Sequence, residues 1–328
     1  MSILSLYGDN VVVGGGLAGL VAALRLSGDT VLLSDGAGAT AVSTGIFSPL
    51  LGDREAEEWL LGSMGDTKCP YIRGECATVK REIKRGIIQA STQARSRPTF
   101  ISINEKRDGF TPVEFMRGRS IQEMARVLED DESGVEALCD ALKGVKAESI
   151  LLPPVMGITR MDEIRKRICD SLGVEAGEYV MAPSVLGLRL LRALRKKASQ
   201  KPGLELLDMA RVESAENGRV AGKMGTKGRR EFVVHASNLF IATGGLLTGF
   251  RVEGDRLMEP LTGSIVYMDF EEGLNEEFLS QHPLMYKGVG EKHYIEGFKN
   301  VRAIGSTAHG FGLYRALVSG YRAGEGLE

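Results

Sequence analysis

Three glycines spaced as Gly-x-Gly-x-x-Gly form the most constraining segment of this chain, from Gly14 to Gly19. The segment follows Asn10-Val11-Val12-Val13, a run of mostly β-branched residues that predicts a strand buried on both faces. Apolar residues at helical spacing come next and stop at Ser27-Gly28-Asp29, and a second strand is predicted over Thr30–Leu33. A strand, glycine turn, helix and strand in this order predict the start of an α/β fold with a parallel sheet.

The same segment has the chemistry of a phosphate site. The glycines let the backbone turn sharply, let a pyrophosphate approach and let the helix pack closely on the strand. The helix N-terminus offers N–H groups and the positive end of the helix dipole. An acidic residue about twenty positions later binds a ribose hydroxyl, and Asp35 stands one position past the commonest place, which Ser34 occupies.

We therefore predict that this region binds the ADP part of a dinucleotide, and that a packed glycine turn without a ligand is the alternative. The predicted binding residues are Gly14, Gly15, Gly16, Leu17, Ala18, Gly19, Ser34 and Asp35.

Composition limits the other classes of function. A chain of 328 residues suits two domains or one large α/β domain with an insertion. The net charge of −2 gives no reason to expect a nucleic-acid partner, and basic clusters such as Arg192–Lys197 are interpreted as solvated surface. Four cysteines without a Cys-x-x-Cys pair predict no metal site. The most apolar stretch, Val11–Leu26, is too short to span a bilayer, so we expect a cytoplasmic protein that meets a membrane only through a partner.

Further along the chain, the patterns predict more helices and strands. Ser120 and Glu123 are set as a capping box for a helix, and Ser184–Ala198 is a strongly amphipathic helix. Asn217-Gly218 predicts a hairpin, followed by a buried strand from Asn238 that ends in Ala-Thr-Gly-Gly. A last strand, Val301–Gly305, precedes a C-terminal helix.

Two of these later segments favour flavin over nicotinamide as the cofactor. The hairpin and the strand ending Ala242 to Gly245 resemble the second signature of FAD-dependent oxidoreductases with the glutathione-reductase fold. The strand ending Ala303-Ile304-Gly305-Ser306, with its following helix, is similar to their third signature. The loop after the second strand has small residues suited to backbone contact with the cofactor, although an ordinary surface loop has the same composition. The added cofactor candidates are Ser43, Thr44, Gly45, Val212, Ala242, Thr243, Gly244, Gly305, Ser306 and Gly312.

The chain as a whole resembles the second subunit of anaerobic glycerol-3-phosphate dehydrogenase, from residue 10 nearly to the end. The most specific matching segment is Ala182-Pro183-Ser184-Val185-Leu186-Gly187-Leu188-Arg189-Leu190, because general similarity to flavin folds does not require it. The glycine motif, Ser43-Thr44-Gly45, Glu259-Pro260 and the two later signatures also match. The glycine-rich loop before the last helix is shortened here to Ala308-His309-Gly310-Phe311-Gly312.

This resemblance implies a flavoprotein in a multi-subunit complex. There, sn-glycerol 3-phosphate is oxidised to dihydroxyacetone phosphate, and electrons pass to an iron–sulfur, membrane-associated subunit. The resemblance suggests FMN, whereas an intact ADP-binding motif predicts FAD, and we predict FAD with FMN as the alternative. The expected partners are a small-molecule substrate, a catalytic flavoprotein subunit and the iron–sulfur subunit.

The catalytic residues are less clearly marked than the cofactor site. His309, in the loop predicted to face the flavin, is the best candidate for a general base that takes the proton of a substrate hydroxyl. Arg251 and Arg315 are candidates for binding a substrate phosphate. For Arg189, a phosphate contact and a salt bridge are both open, and the salt bridge is favoured.

The predicted fold is therefore α/β: a three-layer, Rossmann-like FAD-binding domain with an inserted second lobe. The predicted boundaries place residues 1–66, 178–262 and 296–328 in the FAD-binding domain, and residues 67–177 and 263–295 in the second lobe. Two alternatives to a dehydrogenase subunit remain: a non-catalytic subunit that holds flavin and relays electrons, and a stand-alone FAD oxidoreductase acting on another small substrate.

Overall fold

The structure is a computed structural model, and its described residues form two compact units. The described residues are 3–43, 45, 47, 53–64, 88–89, 98–181, 185–216, 218–226, 230–244, 251–253, 256–263, 265–267, 285–286, 295, 300–305 and 312–325. The first unit contains residues 1–40, 47–65 and 193–328, and the second contains residues 41–46 and 66–192. The predicted domain boundaries, which divide the chain differently at 41–46, 66, 178–192 and 263–295, stay a prediction.

The first unit is built on a seven-stranded sheet whose parallel part holds the glycine motif. In spatial order its strands are β8 (Leu204–Asp208), β2 (Thr30–Ser34), β1 (Leu4–Val13), β11 (Arg230–Ile241), β10 (Arg219–Met224) and β9 (Ala210–Glu216), with β16 (Val301–Ala303) paired to β11. Strands β8, β2, β1, β11 and β16 run parallel, and β9 and β10 form an antiparallel extension. The carboxyl ends of the parallel strands therefore share one edge of the sheet.

Apolar side chains explain why these strands form the core of the first unit. Every residue of β2 is buried, as expected of a central parallel strand. In β1, Val11 pairs with Leu239 of β11 and Val13 pairs with Ile241, and all four side chains are buried. The helices of this unit are α1 (Leu17–Arg25), α2 (Arg54–Met64) and α7 (Leu313–Tyr321). A second, four-stranded antiparallel sheet consists of β12 (Arg251–Glu253), β13 (Arg256–Met258), β14 (Ile265–Tyr267) and β15 (Met285–Tyr286).

The second unit has its own sheet and its own core. The five strands are, in spatial order, β3 (Ile88–Gln89), β7 (Glu175–Val180), β6 (Ser149–Leu152), β4 (Thr99–Ile103) and β5 (Thr111–Val113). The helices are α3 (Ile121–Asp130), α4 (Glu132–Leu142) and α5 (Met161–Leu172). Helix α6 (Leu186–Ala198) belongs to this unit up to Arg192 and to the first unit from Ala193.

The predicted α/β, Rossmann-like class is confirmed, and so are several of the local predictions. The capping box of α3 is present, because Ser120 accepts a bond from the Glu123 amide and the Glu123 side chain accepts one from the Ser120 amide. The amphipathic helix predicted over Ser184–Ala198 is α6, and four of its leucines are buried: Leu186, Leu190, Leu191 and Leu194. Sequence patterns missed the five-stranded sheet of the second unit, apart from β6, which occupies the predicted residues Ser149–Leu152.

One predicted strand is shorter than the strand in the structure. The sequence predicted a first strand over residues 10–13, whereas β1 begins at Leu4. The added part alternates half-buried and exposed residues and pairs with Phe232–Ala236 of β11. Its alternating pattern lacks the continuous apolar run that marks the buried half, which is why periodicity identified only that half.

Candidate functional site

The glycine motif lies where four parallel strands end side by side. The Gly14 amide donates to the Leu33 carbonyl at the end of β2 (2.8 Å). The Ala242 amide, just past β11, donates to the Val13 carbonyl (2.7 Å). The Ile304 amide, just past β16, donates to the Ile241 carbonyl (2.9 Å). These bonds extend the ladder by one residue past the strands and bring segments distant in sequence to one edge. In open α/β sheets, this edge is where ligands bind.

A cavity of about 480 Å³ opens at this edge, a size typical of ligand pockets. It is lined by the motif and by the segments that follow the strands. The lining residues are Val13, Gly14, Gly15, Gly16, Leu17, Ala18, Leu33, Asp35, Gly36, Gly38, Ala39, Thr40, Ala210, Arg211, Val212, Glu213, Ala242, Thr243, Gly244, Pro260, Leu261, Gly305 and Ala316. All of them belong to the first unit.

Two of the glycines allow close backbone packing rather than ligand contact alone. Gly14 has φ of +122°, and a Cβ added to it would lie 2.1 Å from the Ala242 carbonyl oxygen. A Cβ at Gly19 would lie 1.9 Å from the Gly14 carbonyl oxygen. Real Cβ atoms do not approach so closely, so the turn between β1 and α1 requires glycine at both positions.

Gly16 differs from these two, because no atom of the described residues blocks the space beside it. The nearest atom to a Cβ added at Gly16 would be the Thr40 hydroxyl oxygen, 3.7 Å away, which is an ordinary contact. Gly16 nevertheless lines the cavity at the start of α1, whose first turn has no acidic side chain. The open space beside Gly16 and the positive end of α1 together fit an anionic pyrophosphate.

Ser34 and Asp35, the two candidates for binding ribose, have different surroundings. Ser34 is buried, its hydroxyl donates to the Gly36 carbonyl (2.8 Å), and its side chain packs behind Gly15. Asp35 lines the cavity, and its carboxylate lies 4.0 Å from Nε of Arg211. The geometry therefore favours Asp35 over Ser34 for a ribose hydroxyl. The predicted roles of both residues remain predictions.

Most of the other predicted cofactor residues in the first unit also reach this cavity. Val212, Ala242, Thr243, Gly244 and Gly305 line it. Gly312 caps the start of α7, whose residue Ala316 lines the cavity. Two other predicted cofactor contacts, Ser43 and Gly45, stay predictions. Ser43 and Gly45 belong to the second unit, where Gly45 packs against Leu186 and its amide donates to the Ser43 hydroxyl.

Several predicted residues lie outside the described part of the chain. They are Thr44, Ser306 and His309. Arg251 lies in β12, but its side chain is also outside the described part. Arg315 is a half-buried residue in the first turn of α7, next to Ala316 in the chain. The catalytic role of His309 and the phosphate-binding roles of Arg251 and Arg315 therefore stay predictions.

Sequence reasoning missed Thr40, which holds the start of α1 in place. Thr40 is buried and lines the cavity, and its hydroxyl accepts a bond from the Leu17 amide (3.2 Å). The local sequence, rich in Gly, Ala, Ser and Thr, indicated a loop that could contact a cofactor but did not single out this threonine. It also missed Arg211, next to the predicted Val212, and the pair Pro260 and Leu261.

Two basic residues of α6 are paired with acidic side chains. Arg189 is buried in the second unit, where it forms two bonds with Glu178 (2.6 and 3.0 Å) and two with the Gly157 carbonyl (2.7 and 3.0 Å). This observation confirms the salt bridge favoured from sequence. Arg195, expected to be solvated, is only partly exposed, pairs with Asp208 and lies behind Gly15.

The described residues place limits on two other kinds of site. Among them, no three His, Cys, Asp or Glu side chains are grouped so that they could hold a metal ion. None of the helices in the described part of the chain has the length and apolar character needed to cross a membrane.

Comparison with known proteins identifies the family. The family profile for the FAD-dependent oxidoreductases called DAO matches residues 9–316. Among curated proteins, none matches the chain significantly.

Several solved structures are similar to the chain at low sequence identity. L-proline dehydrogenase from P. horikoshii is 10% identical, with 99% of this chain and 55% of that chain covered and a TM-score of 0.33. A quinol fumarate reductase FrdA variant from E. coli is 15% identical, with 74% and 33% covered and a TM-score of 0.30. Sdh1 of Mycobacterium smegmatis is 11% identical, with 74% and 35% covered and a TM-score of 0.30. The chain thus spans about a third to about half the length of these structures.

Proposed function

This chain belongs to the DAO family of FAD-dependent oxidoreductases, and from that premise we propose that it is a flavin-carrying subunit of the anaerobic glycerol-3-phosphate dehydrogenase type. In this proposal it oxidises sn-glycerol 3-phosphate to dihydroxyacetone phosphate, or relays the electrons from that oxidation through its flavin. FAD is the cofactor of the family, and it accepts the electrons taken from the substrate. The observation that carries the proposal is the glycine-lined cavity at the ends of the parallel strands.

The residues around the cavity suit the ADP part of FAD. The open space at Gly16 and the N-terminal turn of α1 would hold the pyrophosphate. Asp35 would accept a hydrogen bond from a ribose hydroxyl. Thr40 would keep α1 in position through the Leu17 amide.

The substrate assignment rests on the resemblance in sequence. Its most specific segment continues into α6, where the described residues from Val185 to Leu190 are mostly buried. We propose His309 as the general base that takes the proton of the substrate hydroxyl, and Arg251 and Arg315 as ligands of its phosphate. We also propose a catalytic flavoprotein subunit and an iron–sulfur subunit as partners, in the cytoplasm, with membrane contact only through a partner.

The first experiment is the absorbance spectrum of the purified chain, with mass identification of the released cofactor. A yellow protein releasing FAD is expected, and release of FMN would favour the alternative cofactor. The protein is then mixed anaerobically with glycerol 3-phosphate, and bleaching of the flavin absorbance is measured. Bleaching by glycerol 3-phosphate but not by glycerol supports the proposed substrate. A flavoprotein that stays oxidised with glycerol 3-phosphate, alone and with its companion subunits, contradicts it.

A subunit that holds flavin without catalysing the oxidation is the second candidate. It fits the same cavity, because the contacts proposed for the ADP part of FAD come from the glycine turn and Asp35 and need no catalytic base. The two candidates differ in a dye-linked assay of the chain alone. Turnover without the companion chain contradicts the relay role, whereas turnover only in the complex supports it. Reduction by a different small substrate, with no partner copurifying, would support a stand-alone enzyme.

A further inference from the structure

Glu259 is a fully buried acidic residue immediately behind the wall of the cavity. It follows strand β13 and begins a turn, in which the Gly263 amide donates to the Glu259 carbonyl (2.9 Å). Its relative exposure is 0%. Burial raises the pKa of the Glu259 carboxyl above its usual value, while hydrogen bonds from Thr262, Leu261 and Thr243 act in the opposite direction. Burying such a group is unfavourable unless its oxygens are well bonded.

The two carboxylate oxygens of Glu259 serve different parts of the chain. Oε2 accepts bonds from the Leu261 amide (3.1 Å), the Thr262 amide (2.8 Å) and the Thr262 hydroxyl (2.8 Å), all within its own turn. Oε1 accepts a longer bond from the Thr243 hydroxyl (3.4 Å), just past the end of β11. One side chain therefore ties the turn to the end of a central strand.

Both tied segments line the cavity. Thr243 and Gly244 stand on one side of this link, and Pro260 and Leu261 on the other. The link also reaches the glycine motif, because the neighbouring residue Ala242 contacts Gly14 closely and donates to the Val13 carbonyl. A shift at Thr243 would therefore be transmitted to the turn that is shaped for the pyrophosphate.

We propose that Glu259 is a positioning residue for FAD, whose carboxylate holds Thr243 and the 260–261 turn in the geometry that the cofactor requires. Glu259 itself does not line the cavity, so it acts through these neighbours. The role depends on the FAD site and not on the identity of the substrate.

The test measures the FAD dissociation constant of the full-length apoprotein by quenching of flavin fluorescence. Thr243→Val removes the hydroxyl at almost constant volume, and we expect FAD to bind about fivefold more weakly, the effect of roughly one hydrogen bond. Thr243→Ser restores the hydroxyl and should bind FAD within about twofold of wild type. Glu259→Leu removes both acceptor oxygens at similar volume and should weaken FAD binding as well, and Thr243→Val added to it should cause little further loss, since the link is already absent.

Thr262→Val is the matched control, because it removes a hydroxyl from the same carboxylate without touching the link to β11. We expect this variant to bind FAD within about twofold of wild type, because two amides still hold the turn. Equal FAD affinity in Thr243→Val and wild type would overturn the proposal, whether or not the Glu259 variant folds. So would fully additive losses in Thr243→Val and Glu259→Leu, or failure of Thr243→Ser to restore binding. Wild-type protein that shows no saturable binding of FAD would overturn the cofactor assignment together with the proposal.

Discussion

One loop in each compact unit is held in place by a different kind of interaction. In the first unit, the turn after β1 is shaped by missing side chains, since a Cβ at Gly14 or Gly19 would run into backbone atoms. In the second unit, the loop containing Gly157 is fixed by charge, because Arg189 joins its carbonyl to Glu178 and the Glu178 carboxylate accepts from the Met156 amide (2.7 Å). A turn shaped by glycines leaves space for a ligand. In the loop fixed by a buried ion pair, side chains of the protein occupy the corresponding space.

The largest effect is expected in the second unit. Arg189→Met removes one member of a buried ion pair and leaves the Glu178 carboxylate without its cation, which should reduce the free energy of unfolding by about 3–5 kcal/mol. Urea denaturation monitored by circular dichroism measures the change. The control is Arg189→Met combined with Glu178→Met, which should recover part of the loss because no buried charge remains. A loss below about 1 kcal/mol in the single variant would show that the pair is not a fixed part of the core.

In the first unit, Gly14→Ala should have the next largest effect. The added Cβ would need to occupy the position of the Ala242 carbonyl oxygen, and φ of +122° is unfavourable for alanine. We expect a loss of about 3 kcal/mol in stability, measured on the apoprotein so that loss of cofactor does not contribute. A variant with wild-type thermal stability would contradict the close packing of the turn on β11.

Gly16→Ala separates packing from ligand binding. In the described part of the chain, the atom nearest to the added Cβ is 3.7 Å away, so the free energy of unfolding of the apoprotein should stay within about 0.5 kcal/mol of wild type. FAD binding should weaken about thirtyfold, or about 2 kcal/mol, because the methyl group occupies space needed by the pyrophosphate. Titration of the apoprotein with FAD measures this loss. Wild-type affinity in Gly16→Ala would show that the pyrophosphate does not approach this residue.

A partly exposed ion pair in the first unit should contribute least to the stability of the protein. Arg322 donates two bonds to the Asp53 carboxylate (3.0 and 3.1 Å) and holds the pKa of that carboxyl below its ordinary value. Asp53→Asn removes the charge but keeps an amide oxygen that can accept from the Ala56 amide at the start of α2. We therefore expect the free energy of unfolding to fall by about 1 kcal/mol at pH 7.

This loss has a defined dependence on pH. The pKa of Asp53 is lower in the folded state than in the unfolded state. The ion pair therefore stabilises the protein fully when the pH is above the unfolded-state pKa. This contribution disappears as the pH falls through the lower, folded-state pKa. The difference in stability between wild type and Asp53→Asn should therefore be constant near neutral pH and shrink below about pH 3.8, the ordinary pKa. A difference that grows in acid would assign the effect to another group.

Local patterns predicted the first unit better than the second, for a physical reason. The residues from Val11 to Ser34 specify their strand, turn and helix by local spacing, and the hairpin at Asn217-Gly218 is specified by its turn. Strand β4 of the second unit gains its stability from β6, far along the chain, and its short sequence Thr-Phe-Ile-Ser-Ile does not reveal that partner. Thr40 and Glu259 escaped prediction for the same reason, since their roles depend on contacts with Leu17 and Thr243.

The arrangement of the cavity also sets when the protein can acquire its cofactor. Gly14 is synthesised well before Gly305 and Ala316, which line the same cavity but lie far along the chain. At the usual pace of translation, tens of seconds separate the two events. Until β11 has been synthesised, the apolar strand β1 lacks one of its two neighbours. The complete cavity, and with it the proposed FAD site, therefore forms only after Gly305 has been synthesised.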